Sequence, residues 1–539
     1  MKLEKLLLYI LILVLPLGQF SKIPLGLVNL PDITVYYNDL LIPFLIFIWL
    51  TRQLAIRKKL DLPPFSGLIL LFTAISFLSL LNSFRWLGIA EFIVSGLYWW
   101  RWVQYAFLYP IVFSVVKEGN ETKLSAGETA LDKNEARIMS NELRITNYAL
   151  RISSYLLLSI TIFSLLGLVQ FLLFPDFSKY IQHGWDPHYY RLLSTFFDPN
   201  FAGIFLILGF VLAVSLLLTR NSNKLRRHAA SRGSHGTFDV LVSPVWEKLA
   251  CTDRLQSVTQ EDNTLKRVST VSMVKGHHVK SAAGGLTWQD GQWLLVSCLL
   301  SAVCCLLTFS RSTYLAFAVA VISLGILKSR KLLVVFFVLA VLAFLFVPRV
   351  RTRVVGALEL DITARARVED WLKTGEIVKD NWLTGVGFNS FRYAQEHYGY
   401  FRNAKGLSEV SGHAGAGADS SLLFVWATTG IFGLISYLLL YSSIWLESVL
   451  RLRKLKVKSM PRSEAFRGEK LVSPLGGLKV KIKNSKSISL SQALLLTIVV
   501  SIPTLFVHSL FVNSLFYPWV MEWMWIVLGI TYGLDSSFS

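Results

Sequence analysis

Long apolar runs constrain this chain more than any other feature. A helix needs about 20 mostly apolar residues to cross a bilayer. Twelve stretches approach or meet that length, near 5–20, 37–51, 64–82, 91–116, 153–174, 200–219, 292–309, 312–327, 332–348, 420–446, 489–511 and 516–534. The first and eighth are short, and the fourth carries Glu91 and Arg101. Hydrophobic residues make up 53% of the 539 and charged ones 16%, with mean hydropathy +0.51. Those values exclude a soluble globular enzyme and predict an all-α polytopic membrane protein of about twelve transmembrane helices. The N-terminus resembles a signal peptide, but Leu17-Gly18-Gln19-Phe20 is a poor cleavage site, so residues 5–20 are expected to remain as the first helix.

The net charge of +20 would point to nucleic acid in a soluble protein. Here the basic residues collect in loops, so no nucleic-acid partner is expected and the bilayer is. With the N-terminus inside, about 38 basic residues fall on the inner side and about 15 on the outer, the asymmetry that sets topology. Four regions follow: 1–152, helices one to four and an inner loop; 153–348, helices five to nine with a basic inner loop 220–291; 349–419, one large outward loop; and 420–539, helices ten to twelve with a basic inner loop 447–488. The outward loop holds about ten basic and nine acidic residues, the balance of a folded cap. The long inner loops read as flexible, with anionic lipid headgroups as the functional alternative. His228, His235, His277 and His278 lie in inner loops without metal spacing. Cys298, Cys304 and Cys305 sit in one apolar run and Cys251 in a basic loop, so neither a disulfide framework nor a zinc site is expected.

Four stretches can carry chemistry, all on the outward side. RLLSTFFDPNFAG places Arg191 beside the membrane surface before Asp198-Pro199-Asn200, which reads equally as a helix cap. TFSRSTYLAF sets Arg311 between two apolar runs, as a functional candidate or as the mark of a tight turn. RARVEDWLKTGEIVKDNWLTGVGFNSF predicts an amphipathic helix over 366–380, with Arg367 and Trp371 on one face and Gly385-Val386-Gly387 as a turn. SGHAGAGADSSLLFVWATTG leads through His413 to Asp419-Ser420-Ser421, where Asp419 is either a helix cap or a general base and His413 is a base or a plain loop histidine.

The order and spacing of R-x-x-x-T-F-x-D-P-N (191–200), T-x-S-R-S-x-x-L-A (308–316), R-x-x-x-W with W-L-T-G-V-G-F-N-S-F (367–391) and L-L-F-V-W-A-T-T-G-I-F-G-L (422–434) resemble the O-antigen ligase and O-antigen polymerase superfamily of bacterial envelope enzymes. The resemblance covers roughly 150–445. It implies a GT-C-like glycosyltransferase of the bacterial inner membrane, active on its outward face and needing no metal or other cofactor. Its implied partners are an undecaprenyl-pyrophosphate-linked glycan and a glycan, lipid or protein acceptor. Matched to the motifs, Arg191 and Arg367, with Arg311 as a third, bind the pyrophosphate. The family's base is a histidine in His-Asn, and this chain has Ala418-Asp419 there, leaving Asp419 or His413 for the role. A transporter or flippase for the same lipid-linked glycan is the rival of another class. A non-catalytic envelope assembly protein is a further one, kept open by the missing His-Asn.

Overall fold

All twelve apolar stretches form helices. In the computed structural model the described residues are 2–23, 34–56, 61–117, 130–183, 185–231, 291–359, 361–400, 417–458 and 484–535. The helices of the apolar stretches are α1 (Lys2–Val14), α2 (Tyr37–Ile56), α3 (Ser66–Ser83), α4 (Ile89–Lys117), α5 (Ala130–Leu173), α6 (Pro199–Ser231), α7 (Gly291–Leu307), α8 (Arg311–Leu327) and α9 (Arg330–Phe346). Three shorter or more polar helices follow: α10 (Pro348–Leu358), α11 (Ile362–Asp380) and α12 (Phe391–His397). The chain closes with α13 (Ser421–Lys458), α14 (Asn484–Ser509) and α15 (Pro518–Asp535). A two-residue antiparallel ribbon, β1 (Lys22–Ile23) and β2 (Val35–Tyr36), precedes α2. By contacts the chain divides into a main unit, 1–223 with 288–539, and a second unit, 224–287, whose described residues are the last turns of α6.

Seven spans are long and apolar enough on their own to cross a membrane, or eight if α9 and α10, bent 98° apart, count as one. The protein is therefore mostly helical and polytopic, with fewer self-sufficient spans than the twelve expected. The difference has physical causes. α7 and α8 have 17 residues each, and α4 and α15 carry Arg101 and Glu522 inside their apolar runs. The first stretch still counts as a span, Leu3–Ser21, although α1 gives way to a 3₁₀ segment, Leu15–Ser21, with Gly18 at φ +51°.

The most extensive helix pair among the described residues is α4 against α15. Gly529 and Gly533 form a small-x-x-x-small stripe, and a Cβ on Gly529 would lie 2.6 Å from Val112 Cβ. Such stripes let two backbones approach where lipid supplies no hydrophobic drive. Trp525 stacks on Tyr109 at 6.2 Å across the same contact. By contrast α9 has no buried residue, and Phe337 and Phe346 are 69% and 76% exposed. An apolar surface of this extent belongs against lipid.

Two of the sequence motifs lock together. α13 breaks at Gly430, with φ +67° and ψ −172°. The carbonyls of Ala427 and Thr428 accept from Val386 N–H at 2.9 Å and Gly387 N–H at 3.0 Å, and Ile431 N–H donates to the Trp382 carbonyl at 2.9 Å. Gly385, at φ +69°, crosses so close that a Cβ would lie 2.4 Å from the Thr428 backbone. The predicted Gly-Val-Gly turn is thus a backbone graft onto a broken helix. It fixes α11 relative to the start of α13.

Candidate functional site

The site is assembled from the α5–α6 connection, the α7–α8 turn, α10, α11 and the residues before α13. These line a cleft of about 400 Å³ whose walls include Asp186, His188, Arg191, Asn200, Arg311, Arg353, Arg367, Asp370 and Asp419. Of the residues expected from sequence, Arg191, Arg311, Arg367 and Asp419 come together in this one cleft. His413 lies outside the described residues.

Each wall has a local cause. Asp198 caps α6, accepting from the N–H groups of Asn200 at 2.7 Å and Phe201 at 3.0 Å, as its place before Pro199 predicts. Asn200 Oδ1 then accepts from the Ser310 hydroxyl at 2.6 Å, tying α6 to the α7–α8 turn. Arg191 donates to the carbonyls of Thr308 at 2.9 Å and Phe309 at 3.3 Å. The connecting loops hold Tyr190, Ser194, Phe197 and Phe309 at positive φ, a conformation that costs non-glycine residues roughly 1 kcal/mol each and that gathers at functional sites.

The four arginines differ in what they hold. Arg311 opens α8, donates through Nε to the Arg353 carbonyl at 3.0 Å, and grips Asp361 through both terminal nitrogens, Nη1 at 2.9 Å. It pins the α10–α11 junction to the cleft wall. Arg367 donates to Asp419 Oδ2 at 3.2 Å. Arg191 and Arg353 have no carboxylate within ion-pair distance among the described residues. Burial, followed by Arg353 and opposed by Asp198, lowers the Arg191 pKa to about 9, and burial followed by Arg311 and opposed by Asp361 lowers that of Arg353. A guanidinium stays charged at neutral pH, and an arriving anion offsets both shifts.

Residues 367, 370 and 371 of α11 share one face and together hold Asp419. Asp370 Oδ2 accepts from the Asp419 N–H at 2.8 Å, and Trp371 Nε1 donates to the Asp419 carbonyl at 3.2 Å. The cap of α13 is Ser420, whose hydroxyl accepts from Leu423 N–H at 3.4 Å. The expected capping role of Asp419 is therefore filled by its neighbour, and its carboxylate turns to Arg367 and the cleft. Burial raises the Asp419 pKa, opposed by Arg367. Burial also raises that of Asp370, opposed by the Asp419 N–H.

Sequence reading missed Arg353, Asp370 and His188. The signal for Arg353 was present: Arg349 and Arg353, four apart at the end of an apolar run, fall on one helix face. Burial, then Arg191, brings the His188 pKa down to about 4, so the imidazole is neutral at physiological pH. With Asp186 and Asp198 it places three donor atoms within 4.8 Å of one another, a spacing that can hold a cation. A dication there meets the repulsion of Arg191 and Arg353 unless an anion accompanies it.

Residues 296–438 match the O-antigen ligase family model. The match runs from α7 into α13, takes in Arg311, Arg353, Arg367, Asp370 and Asp419, and leaves Arg191 outside. It supports the resemblance to the O-antigen ligase and polymerase superfamily. No curated protein matches the chain.

Proposed function

We propose, with the O-antigen ligase match as premise, that this protein transfers a glycan from an undecaprenyl-pyrophosphate carrier to an acceptor hydroxyl, with its cleft on the outward face of a bacterial inner membrane. The observation that carries this reading is the pair Arg191 and Arg353: two guanidinium groups lining one cleft with no carboxylate within ion-pair distance among the described residues. A lipid pyrophosphate supplies the missing anion. Guanidinium forks bind phosphate oxygens in two places at once and keep their charge throughout.

In the reaction the acceptor oxygen bonds to the anomeric carbon of the donor sugar, and the bond from that carbon to the pyrophosphate oxygen breaks. The acceptor's proton passes to a carboxylate, and undecaprenyl pyrophosphate leaves with the bonding electrons. Arg191, Arg353 and Arg367 stabilise the charge that develops on the leaving group. Arg311, engaged with Asp361, positions α10 and its Arg353. Asp419 is the base: its half-exposed carboxylate faces the cleft, and its raised pKa strengthens it as a proton acceptor.

Binding of undecaprenyl pyrophosphate to the purified protein tests this directly. A charge-assisted bond to a guanidinium contributes about 1.5–3 kcal/mol, so Arg353→Ala and Arg191→Ala are each expected to weaken binding roughly 10- to 100-fold. Wild-type affinity in both variants would remove the pyrophosphate from this cleft. Transfer is also expected to withstand a chelator. Loss with EDTA and recovery with Mn²⁺ would instead bring Asp186, His188 and Asp198 into the reaction.

A further inference from the structure

Away from the cleft, the starts of α2 and α15 and the middle of α4 enclose a polar network among aromatic and aliphatic side chains. Asp39 accepts from Arg101 Nε at 2.9 Å and Nη2 at 2.7 Å, from the Tyr105 hydroxyl at 2.8 Å and from Gln104 Nε2 at 3.3 Å. Arg101 also donates to the Thr34 carbonyl. Glu522 accepts from Asn38 Nδ2 at 2.7 Å. The network thus holds two carboxylates and one guanidinium, and that guanidinium is bonded to Asp39. Among the described residues the network holds one more carboxylate than it holds cations.

Three of its oxygens have no hydrogen-bond donor: Glu522 Oε1, Asn38 Oδ1 and Gln104 Oε1. Their residues are 0%, 1% and 2% exposed. The carboxylates fix which amide atoms these are, because the nitrogens of Asn38 and Gln104 must face Glu522 and Asp39. A buried carboxylate without a counter-charge takes up a cation or is neutralised. A proton on Glu522 would become a donor to one acceptor and leave at least one oxygen bare. An alkali cation takes several oxygen ligands at once, and a single charge matches the single uncompensated carboxylate.

We propose that Glu522, Asn38 and Gln104 bind one monovalent alkali cation between α2, α4 and α15, a site separate from the glycan cleft. The full-length protein in detergent is expected to bind one ²²Na⁺ per chain saturably. Glu522→Gln is expected to abolish that binding, and Gln104→Leu, which removes an oxygen and no charge, to weaken it. Wild type that binds no ²²Na⁺ saturably, or Glu522→Gln that binds it unchanged, overturns the assignment. Should Glu522→Gln fail to fold, infrared spectra of the wild type decide. A protonated-carboxyl stretch that is present in choline chloride and lost on adding Na⁺ upholds the cation site. A stretch that persists in Na⁺ assigns a proton and overturns it.

Discussion

Asp419 and Arg353 show how far single residues were readable. Asp419 stood out in the sequence because it occupies the end of a motif where the family pattern has a different pair, and its role stayed open between helix cap and general base. Only the bond that the Leu423 N–H donates to the Ser420 hydroxyl frees the Asp419 carboxylate, and a one-residue shift of a cap lies below what sequence resolves. Arg353 was legible as the helical partner of Arg349, yet its value depends on Asp361 engaging Arg311 instead, a long-range pairing with no local trace. Asp419→Asn is expected to slow transfer by about 10²–10⁴-fold, the usual share of general-base catalysis, with membrane insertion unchanged. The sign of the pH effect follows from the raised carboxyl. The base works deprotonated, so the rate falls as pH drops through an apparent pKa above the ordinary aspartate value of 3.8. Asp370 lies close enough to share that titration. A pH–rate profile checks this. A limb at or below the ordinary aspartate value would remove Asp419 as the base.

At the scale of elements, the amphipathic pattern over 366–380 foretold α11, and apolar runs foretold the long helices. Periodicity reports which face of a helix is apolar, and these segments follow it. It does not report that α13 breaks at Gly430 or that residues 382–387 repair the break, because that graft joins stretches about 45 residues apart through backbone atoms alone. The two glycines are the visible marks of it. Gly385→Ala is expected to lose roughly 1–3 kcal/mol from the left-handed backbone alone, with more from the approach to Thr428. Thermal unfolding in detergent measures this, and an unchanged midpoint would show that the graft does not hold α11 in place. Arg311→Ala should act through α10 and lower carrier affinity less than Arg353→Ala does.

For the whole molecule, composition and loop charge gave a polytopic helical protein and a sidedness; the helices bear out the first. The cleft gathers residues from 186 to 419, and no local pattern brings such distant stretches together. The family match covers the second half of that set and Arg191 joins it through the fold. Sidedness is open to a direct check: Leu372, 66% exposed on α11, replaced by cysteine is expected to label with an impermeant maleimide in intact cells, and protection would place the cleft on the other side. The central claim, glycan transfer from a lipid pyrophosphate at this cleft, is tested most directly by release of undecaprenyl pyrophosphate from a glycan-linked carrier in proteoliposomes of the purified protein. Wild type is expected to release it in step with glycan appearing on an acceptor, and Arg191→Ala, Arg353→Ala and Asp419→Asn to release little; release by all three variants at the wild-type rate, or none by the wild type, would contradict it.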